Sequence, residues 1–269
     1  MTKNDSRQIL RDLKAATLLG DPEAVDLALN GLLALPGVAA NDRMNPGFIE
    51  KVILPVGEAL KPLKTSHLRP LLAHPLAAGR AVGAVALANQ FVSGMDATAK
   101  DLRKPANDSR EDVRAALGLA LRESGSKAPA KLYDLAVPWL LEPSPKPRTS
   151  ALIFLPALAE SHGKRLMGLL EPLGADPDRE VRAALAEALG ALARAGFAES
   201  VLGLLALWAA ETHPNAWVIS RVLSGSWAAE HPAEAESILR ELSSKPGTSS
   251  QVSSTIEALA RHGLEIEIS

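Results

Sequence analysis

Apolar residues recur at helical spacing in the stretch that opens at Asp176. Val181, Ala184, Leu185, Ala188, Leu189 and Leu192 fall at i, i+3, i+4, i+7, i+8 and i+11, one stripe down a single helical face. The run is introduced by Asp176-Pro177-Asp178-Arg179-Glu180. Asp176 is placed to cap, Pro177 to fit the first turn, and the acids to sit at the positive end of the helix. The same pattern opens at Asn107-Asp108-Ser109 with Val113, Ala116, Leu117, Ala120 and Leu121, at His74-Pro75, and at Glu142-Pro143. Arg80, Arg114, Arg148 and Arg182 stand 34 residues apart, each six residues after a polar one: His74, Asp108, Glu142 and Asp176. So regular an interval marks stacked supersecondary units, none able to bury its apolar face alone.

Shorter helices fill the gaps, over residues 68–74, 132–141 and 166–173, each ending near a proline turn. The repeating unit is therefore helix A, tight turn, helix B. Two looser units span residues 197–231 and 233–262. Towards the N-terminus, residues 6–19 and 22–35 form a helical pair, 37–45 a loop, and 46–60 a helix interrupted at Pro55. Residues 93–109 read as a polar connection carrying a short helix, and 264–269 as a frayed end. The expected organisation is one array over 1–269: irregular helices in 1–65, regular repeats in 66–195 and degenerate ones in 196–269.

Composition narrows the class. The 269 residues are 47% hydrophobic and only 3% aromatic, enough apolar material for a full core. The absence of cysteine removes disulfides and thiolate metal sites. The first five residues are polar, which argues against a secretory signal. The longest apolar run, residues 201–210, is about half of a membrane span, so a cytoplasmic protein with no membrane role is expected. The net charge of −2 is uneven: 10 basic against 9 acidic residues in 1–99, 12 against 8 in 100–165, and 7 against 14 in 166–269. A broad basic excess, the footprint of a nucleic-acid binder, is missing.

The motif Asp-Pro-x-x-x-Val-Arg-x-Ala-Leu-x-x-Ala-Leu at residues 176–189, preceded by a Leu-Leu-ended helix, resembles a HEAT repeat. It is most similar to the short bacterial form found in phycobilin-lyase-type and alkylation-repair-type HEAT proteins. The likeness extends to residues 74–89 and 108–121 and in part to 142–155, where Pro147 replaces the valine. It fades at 214–227, where Ile219 stands in that place and the arginine register slips by one. Tetratricopeptide repeats share the period but need an early Trp and a later Tyr in each unit, and this chain has one tyrosine. The resemblance implies an all-α, right-handed α-solenoid of about six to seven antiparallel helix pairs. It also implies that each repeat arginine bonds the acidic turn residue of a neighbouring unit, with Asp108, Glu142 and Asp176 present to receive Arg114, Arg148 and Arg182. Turn carbonyls would accept the remaining donors.

If the B helices line the concave face, the columns at the repeat period are small and apolar: Ala84, Gly118, Leu152 and Ala186 in one, Val85, Leu119, Ile153 and Glu187 in another. Either the helices approach closely there, or an apolar groove receives a helix or extended segment of another protein. The expected partner-binding residues are Ala84, Gly118, Leu119, Leu152 and Ile153, with Trp217 and Arg221, one turn apart, at one end and the guanidinium stacked on the indole. The expected function is a non-catalytic scaffold or adaptor. The alternative is a DNA-binding or DNA-repair protein standing on Lys100, Arg103, Lys104, Arg110, Lys146 and Lys164. The segment Tyr133-Asp134…Trp139…Arg148 loosely resembles the Trp-rich stretch of alkylation-repair HEAT glycosylases, although Pro147-Arg148-Thr149 stands where paired arginines belong. A bilin-lyase-like chaperone is the third reading. The six histidines are scattered with no His-x-x-x-His pair, and neither a phosphate-binding loop nor a nucleophile elbow occurs. No catalytic residue, metal or cofactor is expected.

Overall fold

The computed structural model describes residues 3–39 and 42–267; residues 40 and 41 of the expected loop and the last two residues of the tail lie outside them. Among the described residues the protein is all-helical, with a lone bridge between Val38 and Met44 as its one strand-like pairing. It divides into two compact units, Met1–Phe154 and Leu155–Ser269, a boundary inside the stretch expected to be one regular array.

The first unit holds α1 (Lys3–Leu19), α2 (Pro22–Leu33), α3 (Pro46–Phe48), α4 (Leu54–Leu60), α5 (Thr65–Leu68), α6 (Ala77–Val92), α7 (Ala99–Ala106), α8 (Glu111–Ser124), α9 (Pro129–Leu140) and α10 (Pro145–Phe154). Helices α4, α6, α8 and α10 pack side by side in a row. The second unit holds α11 (Ala159–Leu170), α12 (Arg179–Leu192), α13 (Ala198–Ala209), α14 (Ala216–Leu223), α15 (Pro232–Ser243) and α16 (Ser249–Ala260). Here α12, α14 and α16 form one row and α11, α13 and α15 another. Pro55 does not break the helix before it. It lacks an N–H, and the path widens to a π turn over Ile49–Ile53, where Leu54 N–H reaches back to the Ile49 carbonyl. The stretch Arg179–Ala209 has the length and apolarity of a membrane span, but half of its apolar window is buried and Gly196, at φ +95°, turns the chain between α12 and α13.

The repeat's polar position is a turn former rather than a helix cap. Asp176 Oδ1 accepts from the Asp178 amide at 2.9 Å, Asp108 Oδ1 from the Arg110 amide at 2.9 Å, and His74 Nδ1 from the Leu76 amide at 3.1 Å. The cap of α12 is Asp178, which accepts from the amides of Glu180 and Val181, so the expected assignment to Asp176 is two residues early. A short polar side chain satisfies the amide two residues on, and only then does the helix begin.

The repeat arginines then staple these turns. Nη1 of Arg80 donates to the carbonyls of His74 and Pro75, that of Arg148 to Glu142 and Pro143, and that of Arg182 to Asp176 and Pro177, while Arg114 reaches Asp108 at 2.7 Å. The Asp108 carboxylate receives Arg80, at 2.7 Å, from the preceding repeat. Glu142 receives Arg103, at 2.6 Å, from α7, a residue outside the arginine register. Guanidinium donors fit this double task because five N–H groups diverge from one rigid plane.

Small residues pull the row of the first unit together. A Cβ on Gly57 of α4 would lie 2.4 Å from Val85 of α6, and one on Gly118 of α8 would lie 2.7 Å from Ile153 of α10. Ala84, Gly118 and Leu152, expected on an open face, are therefore buried, and Leu119 and Ile153 are half-buried. The cause is α6, apolar nearly all round and covered by α4 on one side and α8 on the other. Its buried Gln90 is fully used: the Thr65 hydroxyl donates to Oε1, and Nε2 donates to the carbonyls of Lys61 and Leu63.

Helix α7, the short helix expected in the 93–109 connection, starts with a reciprocal capping box. Asp101 accepts from the Thr98 amide at 3.0 Å and the Thr98 hydroxyl at 2.9 Å, and Arg69 closes on its other oxygen at 3.0 Å. Burial by itself would raise the Asp101 carboxyl, but the Thr98 bonds and the Arg69 charge outweigh it and hold the group below its ordinary value. A lowered carboxyl contributes stability above its unfolded-state pKa and loses it as the pH falls. Asp101→Ala is thus expected to lower the melting point at pH 6, by the equivalent of about 1 kcal/mol. In paired melts from pH 6 to pH 3 the gap to the parent should narrow below about pH 4.

Candidate functional site

In the second unit the column through Ala183 opens, while that through Ala186 stays buried as far as Ser220. One repeat on from Ala183 stands Trp217, and one further Gln251; Ala186 leads to Ser220 and Ser254, and Gly190 to Ser224 and Ala258. Between α14 and α16 these positions line a cleft of 560 Å3 that also takes in Arg221, Ser250, Arg261 and His262. The walls are tied at the base. Ser220 Oγ donates to the Gln251 carbonyl at 3.2 Å, and the buried Thr255 hydroxyl donates to Ser220 Oγ at 2.7 Å. Asn215 anchors the start of α14, its side-chain amide donating to the Gly174 carbonyl at 2.9 Å. At the start of α16 the buried Thr248 hydroxyl bonds the carbonyls of Leu242 and Lys245. Both helices therefore present their side chains from a fixed frame.

Trp217 is 44% exposed, in contrast to Trp208 and Trp227, which are core residues at 2% and 5%. Arg221 does not stack on Trp217 as expected; it turns to Glu187 of α12 at 3.0 Å, and both partners of that pair are exposed. Arg261 keeps a single weak bond, from Nε to the Glu257 carbonyl at 3.3 Å, and pairs with no acidic side chain among the described residues. Hydroxyls, a side-chain amide, two guanidiniums and an indole can together bind an anionic and partly apolar group. They do not form a nucleophile with an adjacent base.

Of the residues of the nucleic-acid reading, Lys100, Arg103 and Lys104 share α7 and Lys146 reaches its C-terminal end, but the two guanidiniums face carboxylates. Arg103 is committed to Glu142, and Arg110 to Asp112 at 2.8 Å, a bond that holds its guanidinium above the ordinary arginine value. Asp112 is buried and also accepts from the Met44 amide at 3.0 Å, so Arg110 and Asp112 fasten the 37–45 loop to the start of α8. Lys146 leans on the Asn107 carbonyl at 3.4 Å. Trp139 is buried edge-on against Phe154 at 6.0 Å and offers no stacking platform. Asp134 is exposed, and Arg148 serves its own turn. Lys100, Lys104 and Lys164 are exposed. Among the described residues no three of the histidine and acidic side chains come together to hold a metal.

Arg261, His262, Ser250, Gln251 and Ser254 were absent from the residues picked out by sequence. The signal for two of them was available: the Trp217 and Ser220 columns carried on by 34 residues land on Gln251 and Ser254. Arg261 and His262 follow the end of α16, outside the columns of the helix face, and had no such marker. No family model and no curated protein matches the chain. Among solved structures, the crystal structure of an engineered protein from the Northeast Structural Genomics Consortium is 16% identical, with 97% of this chain and 100% of that one aligned at a TM-score of 0.37, a likeness that assigns neither fold nor function.

Proposed function

We propose that this protein is a non-catalytic adaptor of the HEAT-like repeat class, a superhelix of stacked helix pairs that binds a segment of another protein. The superhelical reading is supported by the side-by-side rows α4–α6–α8–α10 and α12–α14–α16 and by helix starts at Ala77, Glu111, Pro145 and Arg179, 34 residues apart. The binding reading is supported above all by one observation. The polar groups of the cores and turns are largely consumed in staples and caps, whereas the α14–α16 cleft presents an exposed tryptophan on α14 and, at the residue that caps α16, a guanidinium without an acidic partner among the described residues. Binding sites on repeat proteins are surfaces of this kind, extended and framed by stiff elements.

Panning a random peptide library against the immobilised chain tests the proposal. The expected result is a set of converging sequences that bind the protein in solution with micromolar Kd. Enrichment of nothing, together with duplex DNA binding at about 50 mM salt that collapses by about 200 mM, would overturn it in favour of a nucleic-acid role.

A further inference from the structure

The geometry points to the α14–α16 cleft as a site for an extended acidic peptide, with a carboxylate on Arg261 and a neighbouring apolar side chain against Trp217. This inference rests on the adaptor reading and names its ligand class. Three observations carry it. First, the cleft's charge opposes that of the unit around it. Residues 155–269 hold 9 basic and 15 acidic residues, yet the cleft lining contains two arginines, a histidine and no carboxylate. A pocket so lined selects for negative charge where the surrounding surface repels it.

Second, the donors are available. Arg261 has no acidic partner among the described residues, and the Arg221–Glu187 pair, with side chains 60% and 68% exposed, is the kind of surface bridge that holds little energy. Arg221 can therefore turn to a ligand at small cost, and a guanidinium fork grips a carboxylate through two parallel bonds. Third, the lining suits a strand-like chain rather than a helix. An α-helix is about 10–12 Å across and binds through an apolar groove at i, i+3 and i+7 positions. This cleft, 560 Å3 in volume, offers instead the Ser254 hydroxyl and the side-chain N–H groups of Gln251, whose Oε1 already accepts from the Ser250 hydroxyl at 2.9 Å, as partners for exposed peptide N–H and C=O groups. Trp217 and Ala258 provide its one apolar strip.

Fluorescence anisotropy with labelled octapeptides on the full chain tests the assignment. The probe alternates glutamate with leucine and phenylalanine; controls replace glutamate by glutamine or by lysine, and an eight-nucleotide thymidine strand is the non-peptide anion. The variants are Arg261→Glu, Trp217→Ala and, as a charge-matched change elsewhere in the same unit, Arg240→Glu on α15. Thermal melts are run on each so that loss of binding is separated from loss of fold. The expected result is binding of the acidic probe alone, weakened about tenfold or more by Arg261→Glu and severalfold by Trp217→Ala, and less than about twofold by Arg240→Glu. Equal weakening by Arg240→Glu, equal binding of the lysine probe, or tighter binding of the thymidine strand would overturn the proposal. Peptides won from the random library that ignore Arg261→Glu would sink the cleft assignment while leaving the adaptor reading in place.

Discussion

Val181→Asp lowers the stability of the protein by about 3–5 kcal/mol in urea unfolding, the expected cost of a carboxylate where no water and no partner reach it. Val181 is completely buried and sits on the α12 stripe with Leu185, Ala188, Leu189 and Leu192, each at most 1% exposed. Its neighbour in sequence, Asp178, serves as the control. The sequence marks Asp178 only as one of the acids at the positive end of the helix, but it caps α12 by accepting two bonds, at 2.9 and 3.1 Å, from the amides of Glu180 and Val181. Asp178→Ala therefore costs about 1 kcal/mol rather than a few tenths. Equal losses in the two variants would mean that the stripe does not face the core.

Trp208→Ala costs a comparable amount, about 3–5 kcal/mol, through the cavity it leaves. The indole is 2% exposed, donates to the Glu171 carbonyl at 3.1 Å and covers Gly174 so closely that a Cβ there would lie 2.3 Å from the ring. Gly174→Val is accordingly an overpacking change of about 1–3 kcal/mol. The contact itself is tested by the double variant, in which the new valine grows into the space the indole has left. Its loss is expected to fall short of the sum of the singles by about 1 kcal/mol or more. Strict additivity in a chemical-denaturation cycle would show that the two residues do not touch.

The helices were legible in the sequence because two local signals agreed, the apolar stripe and the acid-proline turn before it. The interval between arginines was legible for a chemical reason now visible: each guanidinium closes the turn six residues behind it, so its spacing copies the spacing of the turns. Burial of the inner columns was not legible. A column of alanine and glycine is compatible with an open face or with a tight helix contact, and only Val85 over Gly57 and Ile153 over Gly118 settle the matter. Charge pairing was equally hidden. Arg103 and Arg110 count as basic residues in any tally, yet their charge is spent on Glu142 and Asp112, 39 and 2 positions away along the chain. The cleft was half legible, since Trp217 and Arg221 announce it while Arg261 arrives from the next helix pair.

The turn formed at His74, Asp108 and Asp176 asks only for an acceptor facing the amide two residues on. The turn by itself does not ask for a carboxylate, because a ring nitrogen of His74 fills the place that an oxygen fills at Asp108 and Asp176. The turn alone would therefore accept asparagine, aspartate or histidine, but at Asp108 the carboxylate has a second task, holding Arg80 of the preceding repeat at 2.7 Å. One side chain thus serves two structures at once, closing its own turn through an acceptor and joining consecutive repeats through a charge, so the turn survives a neutral substitution there while the joint between repeats does not.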